Sequence, residues 1–379
     1  MQINRAFKTS NAGLFINSLL LSLQPAQMKY KFLPISLLAT GIVFLQSCNQ
    51  NTNTNEQTAE SKAVTKTGKR IIFEPKSFYS EFSSKTPAVL HILPGDTIQT
   101  ESIDADGEDK NGVKLSKGVN PLTGPFYIEG AMPGDVIAVH IAKMHINRAW
   151  ATGAEFFVPR SLPDSVLKKL PRAHSIDWQM TVKWKVDPVA GKASPDSPRE
   201  HMKNFSVPVK PMLGCVGLAP EGKEISTIDA GPFGGNMDFS LITTGATVYL
   251  PVFHPGGLLF MGDAHAMQGD GELNMAALEI SMEFEFTVDL HKQMPLAYPR
   301  VEDSTYIMTV GLAEHLDDAF KIANAGMLSF LQKEYSLSDV EAAQVMGSSL
   351  EYQIPEITDP QTEVVAKIKK SRLSLLSRQ

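Results

Sequence analysis

The feature that most limits the fold of this chain is a rhythm of short β-branched and aromatic runs cut by Pro/Gly turns, beginning near Ile71. "AVLHILPGDTIQTESIDADG" gives a run, a Pro94-Gly95-Asp96 turn, and then the alternating Thr97-Ile98-Gln99-Thr100. "GPFYIEGAMPGDVIAVHIAKMHI" repeats the plan around Pro133-Gly134-Asp135, a hint of related β modules. Proline lacks a backbone donor and glycine accepts positive φ, so such punctuation suits turns between strands and not long helices. The runs at 180–187, 245–253 and 278–288 continue the style, and "LEISMEFEFTV" alternates as a half-buried strand does. Helical spacing is concentrated late. Residues 317–335 carry an apolar stripe with acids in the first turn, and Ser338 with Glu341 fits a capping box. The expected fold is therefore mainly β with a smaller α/β portion, a β-sandwich or barrel-like body bearing late short helices. Residues 187–206 read as a polar surface connection, and the final "KIKKSRLSLLSRQ" as a solvated basic tail or helix.

At 379 residues the chain can bury a large core, as two domains or one large β-rich unit. Its formal charge is −6 with scattered lysines and arginines, which argues against a nucleic-acid partner. From Met28, "MKYKFLPISLLATGIVFLQSC" has two lysines, an apolar run and then Cys48, the layout of a secretory signal. The run is too short for a comfortable spanning helix. Its end resembles the lipobox of bacterial lipoproteins, which makes Cys48 the expected lipidation site and the cell envelope the expected location, with a lipid anchor in a membrane. The competing reading is a buried cysteine in an anchor helix. Residues 1–27 read as an upstream extension, 28–48 as the signal, 49–66 as a polar tether, and 67–379 as the working region. Cys215 is the one other cysteine, so a lipidated Cys48 leaves no intramolecular disulfide.

The chemistry concentrates in a few segments. In "HPGGLLFMGDAHAMQGDGE" (254–272), Asp263 and His265 are two apart, and on a strand they leave the same face. A carboxylate beside an imidazole can bind a divalent ion or orient a general base; a surface hydrogen-bonded pair is the plainer alternative. The "QGDGE" turn brings back Asp270 and Glu272. "STIDAGPFGGNMDFS" holds Asp229, Asn236 and Asp238 among glycines, suited either to a close-lying ligand or to an Asx turn. Glu129 ends a strand-like run in "GPFYIEGAMPGD", and Asp104 and Asp106 follow another in "ESIDADGE". His254, before Pro-Gly, is either a site residue or a turn cap.

These segments, with "PMLGCVGLAP", resemble the acetamidase/formamidase family in order and wording over roughly residues 85–290. The resemblance implies a mostly β homo-oligomer that hydrolyses a small amide to a carboxylic acid and ammonia. It also implies a divalent ion, zinc first and calcium or another ion as alternatives. By residue chemistry within the matching motifs, Asp104, Asp263 and His265 are the candidate metal ligands, with Asp238 a further one. Glu129, Asp238 and Glu272 are the candidate catalytic acids and bases, Glu129 as proton shuttle. Asn236, Gly234, Gly235 and His254 are the candidate substrate contacts. A Cys215 nucleophile is disfavoured by its apolar surroundings, and neither G-x-S-x-G nor H-E-x-x-H occurs. Export also fits a larger periplasmic amide or lactam, and a non-catalytic binding lipoprotein on the same scaffold is the alternative from another class.

Overall fold

A computed structural model describes residues 68–170 and 181–377. The extension 1–27, the signal-like segment 28–48 with Cys48, and the tether 49–66 lie outside the described residues, as does the first residue of the run at 180–187.

Two large open sheets dominate. The nine-stranded sheet runs, edge to edge, Arg70–Ile72, Thr97–Ser102, Met282–His291, Val136–Ile146, Thr247–Pro251, Arg300–Glu302, Tyr306–Ala313, Thr362–Lys369 and Glu351–Gln353. The six-stranded sheet runs Ala230–Gly231, Gly234–Asn236, Met212–Gly217, Leu259–His265, Thr123–Ile128 and Leu90–Ile92. Their inner faces share one apolar cluster, to which Phe126 and Met261 come from the second sheet and Val139, Leu250 and Phe286 from the first. Phe126 meets Phe286 edge-on at 5.3 Å between ring centroids, so the sheets pack face to face as in a sandwich. Each buried large apolar side chain there contributes about 1.5–3 kcal/mol. Both sheets have ordinary edges, and the described strands form no closed barrel.

The two PGD turns are physically alike. Gly95 and Gly134 sit at φ 90° and 89°, outside the range other residues occupy easily. In each turn the aspartate accepts the backbone N–H three residues earlier, Leu93 to Asp96 and Met132 to Asp135, both at 2.9 Å. The strands they launch, Thr97–Ser102 and Val136–Ile146, flank the same central partner, Met282–His291. That partner is the alternating run of the sequence, buried between them.

The helix Leu316–Tyr335 buries Ala319, Ala323, Met327, Leu331 and Tyr335, a stripe at four-residue spacing. It lies so close to the strand Tyr306–Ala313 that a Cβ on Gly311 would fall 1.9 Å from the Ala319 carbonyl oxygen. Ser338 and Glu341 form the expected capping box on the helix Asp339–Ser349. Two expectations change. The connection 187–206 contains a strand, Lys192–Pro195, of a four-stranded sheet with Val207–Pro208, Thr181–Asp187 and Trp150–Ala154. The start of the basic tail belongs to the strand Thr362–Lys369, where Ala366 and Ile368 pack under the helix Leu316–Tyr335 and Lys367 and Lys369 leave the opposite face, partly exposed. Alternation with period two, not helical amphipathicity, governs that stretch.

Glu279 joins two sheets. Its backbone bridges Thr152 of the four-stranded sheet on one side and His265 of the six-stranded sheet on the other. This junction is where the chemistry-bearing segments meet.

Candidate active site

His265, at the end of the strand Leu259–His265, is 1% exposed and has a fixed ring orientation. The Gln268 amide nitrogen donates to the carbonyls of Asp238 at 2.6 Å and Pro355 at 3.2 Å. That leaves the Gln268 oxygen facing His265 Nδ1 at 2.9 Å, where only an N–H can donate. The neutral imidazole therefore presents its Nε2 lone pair to the other side. There it meets Glu279 Oε2 at 3.3 Å, Asp263 Oδ1 at 3.4 Å and Asp238 Oδ1 at 3.8 Å. All are acceptors. Asp238 Oδ1 and Glu279 Oε2 are buried with no hydrogen-bond partner, and Glu272 lies close enough to His265 and Glu279 to share an ion with them. Among the described residues, no lysine or arginine forms an ion pair with any of these acids.

The backbone bends to bring them together. Asp238, Asp263, Glu272 and Asn120 all have positive φ, between 43° and 56°. Asn and Asp tolerate the left-handed region best; each such residue still costs on the order of 1 kcal/mol or more. Asp263 and His265 converge through this kink and not by the simple alternation of an extended strand. Gly214 makes the room: a Cβ there would fall 2.3 Å from Asp238 Oδ1 and 2.8 Å from Asp263 Oδ2. Asn120 donates to Asp263 Oδ2 at 3.0 Å and Asn236 Oδ1 at 2.9 Å, and Asn236 donates to Asp238 Oδ2 at 2.8 Å and to Asp359 Oδ2. One backbone N–H, of Ala277, is shared by Glu272 Oε1 at 3.0 Å and Glu279 Oε1 at 3.1 Å.

Burial together with neighbouring negative charge shifts several of these groups toward the proton-bound form. Burial, with Glu272 and Asp263 next, pushes Asp238 well above the usual carboxylate range. Burial also raises Glu272 and Glu279, against the opposing pull of His265. For His265 burial acts downward, but Glu279 and Asp263 outweigh it and hold the imidazole well above its ordinary value. Asp359 lies on the partly exposed side, and burial raises its carboxyl to about 7. The cluster asks for positive charge, as protons or as a cation.

The structure gathers Asp238, Asp263, His265 and Glu272 as the sequence suggested, and moves other candidates out. Asp104 sits behind Glu279, its Oδ2 accepting from Arg148 Nη2 at 2.6 Å and its Oδ1 from the Glu108 N–H at 2.7 Å. Both oxygens are spoken for, and the same Arg148 nitrogen donates to the Glu279 carbonyl at 3.2 Å. Asp104 thus braces the site and is absent from both clusters able to hold an ion. Glu129 lies past the end of the strand Thr123–Ile128 that is remote from His265, on the order of 25 Å away at strand rise. Its side chain is 44% exposed and pairs with His91. His254 donates to the Pro220 carbonyl at 2.8 Å, a turn contact. Asn236 bridges Asp238 and Asp359 with its donor nitrogen, and Gly234 and Gly235 lie between two strands that use their backbone on both edges, so these three build the wall. Cys215 is buried, its thiol pushed up by burial and then by Asp263, and is no nucleophile.

Asn120, Gln268, Glu279, Asp359 and Gly214 are the residues the sequence did not single out. Gln268 was inside the quoted motif, and Glu279 was hidden in the strand-like run. Asp359 comes from a late loop that follows the strand Glu351–Gln353.

A sequence model of the Acetamidase/Formamidase family matches residues 66–230 and 221–321, and the chain belongs to this family. It is 24% identical to a formamidase of Methylophilus methylotrophus over 339 residues, covering 69% of this chain and 81% of that protein. The structure is similar to that of a recombinant predicted acetamidase/formamidase of Thermoanaerobacter tengcongensis, with TM-score 0.70 and 29% identity over 82% of this chain and 98% of the other. An acetamidase of Bacillus halodurans gives TM-score 0.69 and 26% identity over 81% and 100%. The chain is thus an amidase, acting on carbon–nitrogen bonds other than peptide bonds.

Two measurements test this geometry. Gly214→Ala should keep the far-UV spectrum of the native chain and lose about 100-fold in amide turnover, because the carboxylates can no longer close on His265. Glu356, in the Asp359 loop, is raised to about 8 by burial, then by Asp359, against two backbone N–H bonds. The folded chain therefore keeps a proton that the unfolded chain releases near 4.5. This group's contribution to stability is full below about pH 4.5 and is lost as pH rises toward 8. Urea midpoints at pH 5 and 8.5 should fall less with Glu356→Gln than with the native chain.

Proposed function

We propose that the chain hydrolyses small linear amides of the formamide and acetamide kind to carboxylate and ammonia, at a divalent ion held by His265, Asp263 and Asp238. The observation that carries this reading is the Nε2 lone pair of a tautomer-fixed imidazole facing buried, unpartnered carboxylate oxygens. Two donors about 2.1 Å from one ion with tetrahedral angles would stand roughly 3.4 Å apart, close to the 3.4 and 3.8 Å from His265 Nε2 to Asp263 Oδ1 and Asp238 Oδ1. The imidazole favours zinc over calcium; a carboxylate-rich set also suits other divalent ions.

When bound, such an ion polarises the amide carbonyl and lowers the pKa of water toward neutrality. The chain's own residues supply the rest. Gln268 holds the imidazole tautomer, Arg148 and Asp104 hold the Glu279 backbone, and Asn120 and Asn236 fix the carboxylate faces. Glu272, whose burial raises its affinity for a proton, accepts one from the attacking water. Asp359, near neutrality and on the solvent side, is placed to give a proton to the departing nitrogen. That role replaces Glu129. The bond between carbonyl carbon and nitrogen breaks, and the proton completes ammonia. Tight burial of the cluster supports small substrates.

The Cys48 lipobox supports an envelope location on a lipid anchor. A larger amide or lactam is the alternative substrate, because formamide crosses membranes unaided and gives little reason for export. A homo-oligomeric assembly goes with the family resemblance.

Ammonia release from formamide, acetamide and a small lactam tests this, with metal content measured in parallel. Asp263→Asn and His265→Gln should each lose at least 100-fold in turnover together with bound metal, and a chelator should reproduce the loss. Full turnover after chelation and in both variants contradicts the reading. Binding of amides without ammonia release favours the non-catalytic alternative.

A further inference from the structure

A cavity of about 700 Å³ lies on the outer face of the nine-stranded sheet, unused by the amide chemistry. Tyr249 and Arg300 line it from adjacent strands, pointing away from the core that their neighbours Val248, Leu250 and Val301 enter. Phe330 and Tyr335 contribute from the last turns of the helix Leu316–Tyr335, and Lys370 from the short helix Lys370–Leu373.

Arg300 is the unusual member. It is 9% exposed, with its guanidinium carbon 4.3 Å from the Tyr249 ring centroid and 5.2 Å from that of Phe330. Its Nε is buried and has no hydrogen-bond partner. Among the described residues no carboxylate forms an ion pair with it. Glu302, on the same strand, is engaged by the Tyr249 hydroxyl at 2.8 Å and by Lys370 at 3.8 Å. Glu334 stands exposed at the rim. Two aromatic faces offset part of the cost of burying a guanidinium, but a buried charge is ordinarily met by a counter-charge.

We propose that this cavity is a second binding site, selective for a small monoanionic carboxylate with a planar, apolar body. A guanidinium matches a carboxylate with two parallel N–H bonds. Tyr249, Phe330 and Tyr335 offer apolar walls, and a cavity of this size takes a small organic molecule. With Glu302 and Glu334 close by, one negative charge fits better than a phosphate dianion.

Benzoate, acetate and inorganic phosphate serve as probes in thermal unfolding and calorimetric titration of the full chain. Benzoate should raise the melting temperature saturably, by roughly 2–4 °C, and bind at least ten times more tightly than phosphate. Arg300→Gln should weaken benzoate at least tenfold and leave ammonia release unchanged. Phe330→Ala, which removes a wall and keeps the charge, should also weaken it, an independent check should Arg300→Gln fold poorly. Asp263→Asn, in the amide site, should keep the full benzoate response. No saturable response to benzoate, phosphate binding as tight as benzoate, an equal response in Arg300→Gln, or loss of the response in Asp263→Asn overturns the proposal. So does a change in sedimenting mass in Arg300→Gln with no benzoate response in the native chain, which would make this face a contact between copies.

Discussion

Several buried carboxylates confront a single imidazole nitrogen, and most of the site's architecture follows from that confrontation. Asp238, Asp263 and Glu279 aim oxygens at His265 Nε2 from 3.3 to 3.8 Å, farther than a charge-assisted hydrogen bond would hold them. Like charges gathered in a low-dielectric interior repel by several kcal/mol unless something positive lies between them. Protons can meet part of that demand, which is why Asp238, Glu272, Glu279 and His265 all hold them more tightly than usual. A divalent ion meets it without protonating the groups that must act as bases. The same arrangement accounts for the altered titration and is the ground of the proposed chemistry.

Holding such a cluster closed is the task of the surrounding fold. The left-handed residues Asn120, Asp238, Asp263 and Glu272 would relax if the loops carrying them were free. They are pinned by the junction at Glu279, by the hydrogen bonds of Asn120 and Asn236, and by the absence of a side chain on Gly214. The sandwich core beneath supplies the stability these strained positions consume. Behind the acids, the Arg148–Asp104 pair carries the charges that would otherwise be candidates for the site and uses them as a brace.

Much of this was legible in the sequence because β-branched runs, PGD turns and a four-residue helical stripe are local signals. The motif 254–272 exposed Asp263, His265 and Glu272 because their spacing and glycines are unusual for a surface loop. Asp104 and Glu129 misled for a shared reason: an acid after a strand looks the same whether it faces a cation, an arginine or water. Only the partner, Arg148 or His91, tells them apart, and both partners are distant in sequence. Glu279 reads as one more residue of an alternating strand, since bridging two sheets leaves no local mark. Asp359 lies beyond the motif-bearing region and reaches the site through a loop whose path depends on tertiary contacts. The start of the basic tail reads as helix or strand alike because two lysines flanking Ile368 fit either period; the helix begins only at Lys370.

Anomalous X-ray diffraction on crystals of metal-replete protein, recorded either side of the zinc absorption edge, tests the central claim most directly. One peak is expected about 2.0–2.2 Å from His265 Nε2 and from carboxylate oxygens of Asp238 and Asp263. A cluster without a peak, with the imidazole donating a hydrogen bond of about 2.7–2.9 Å to one of those oxygens, would show that a proton and not a metal balances the charge.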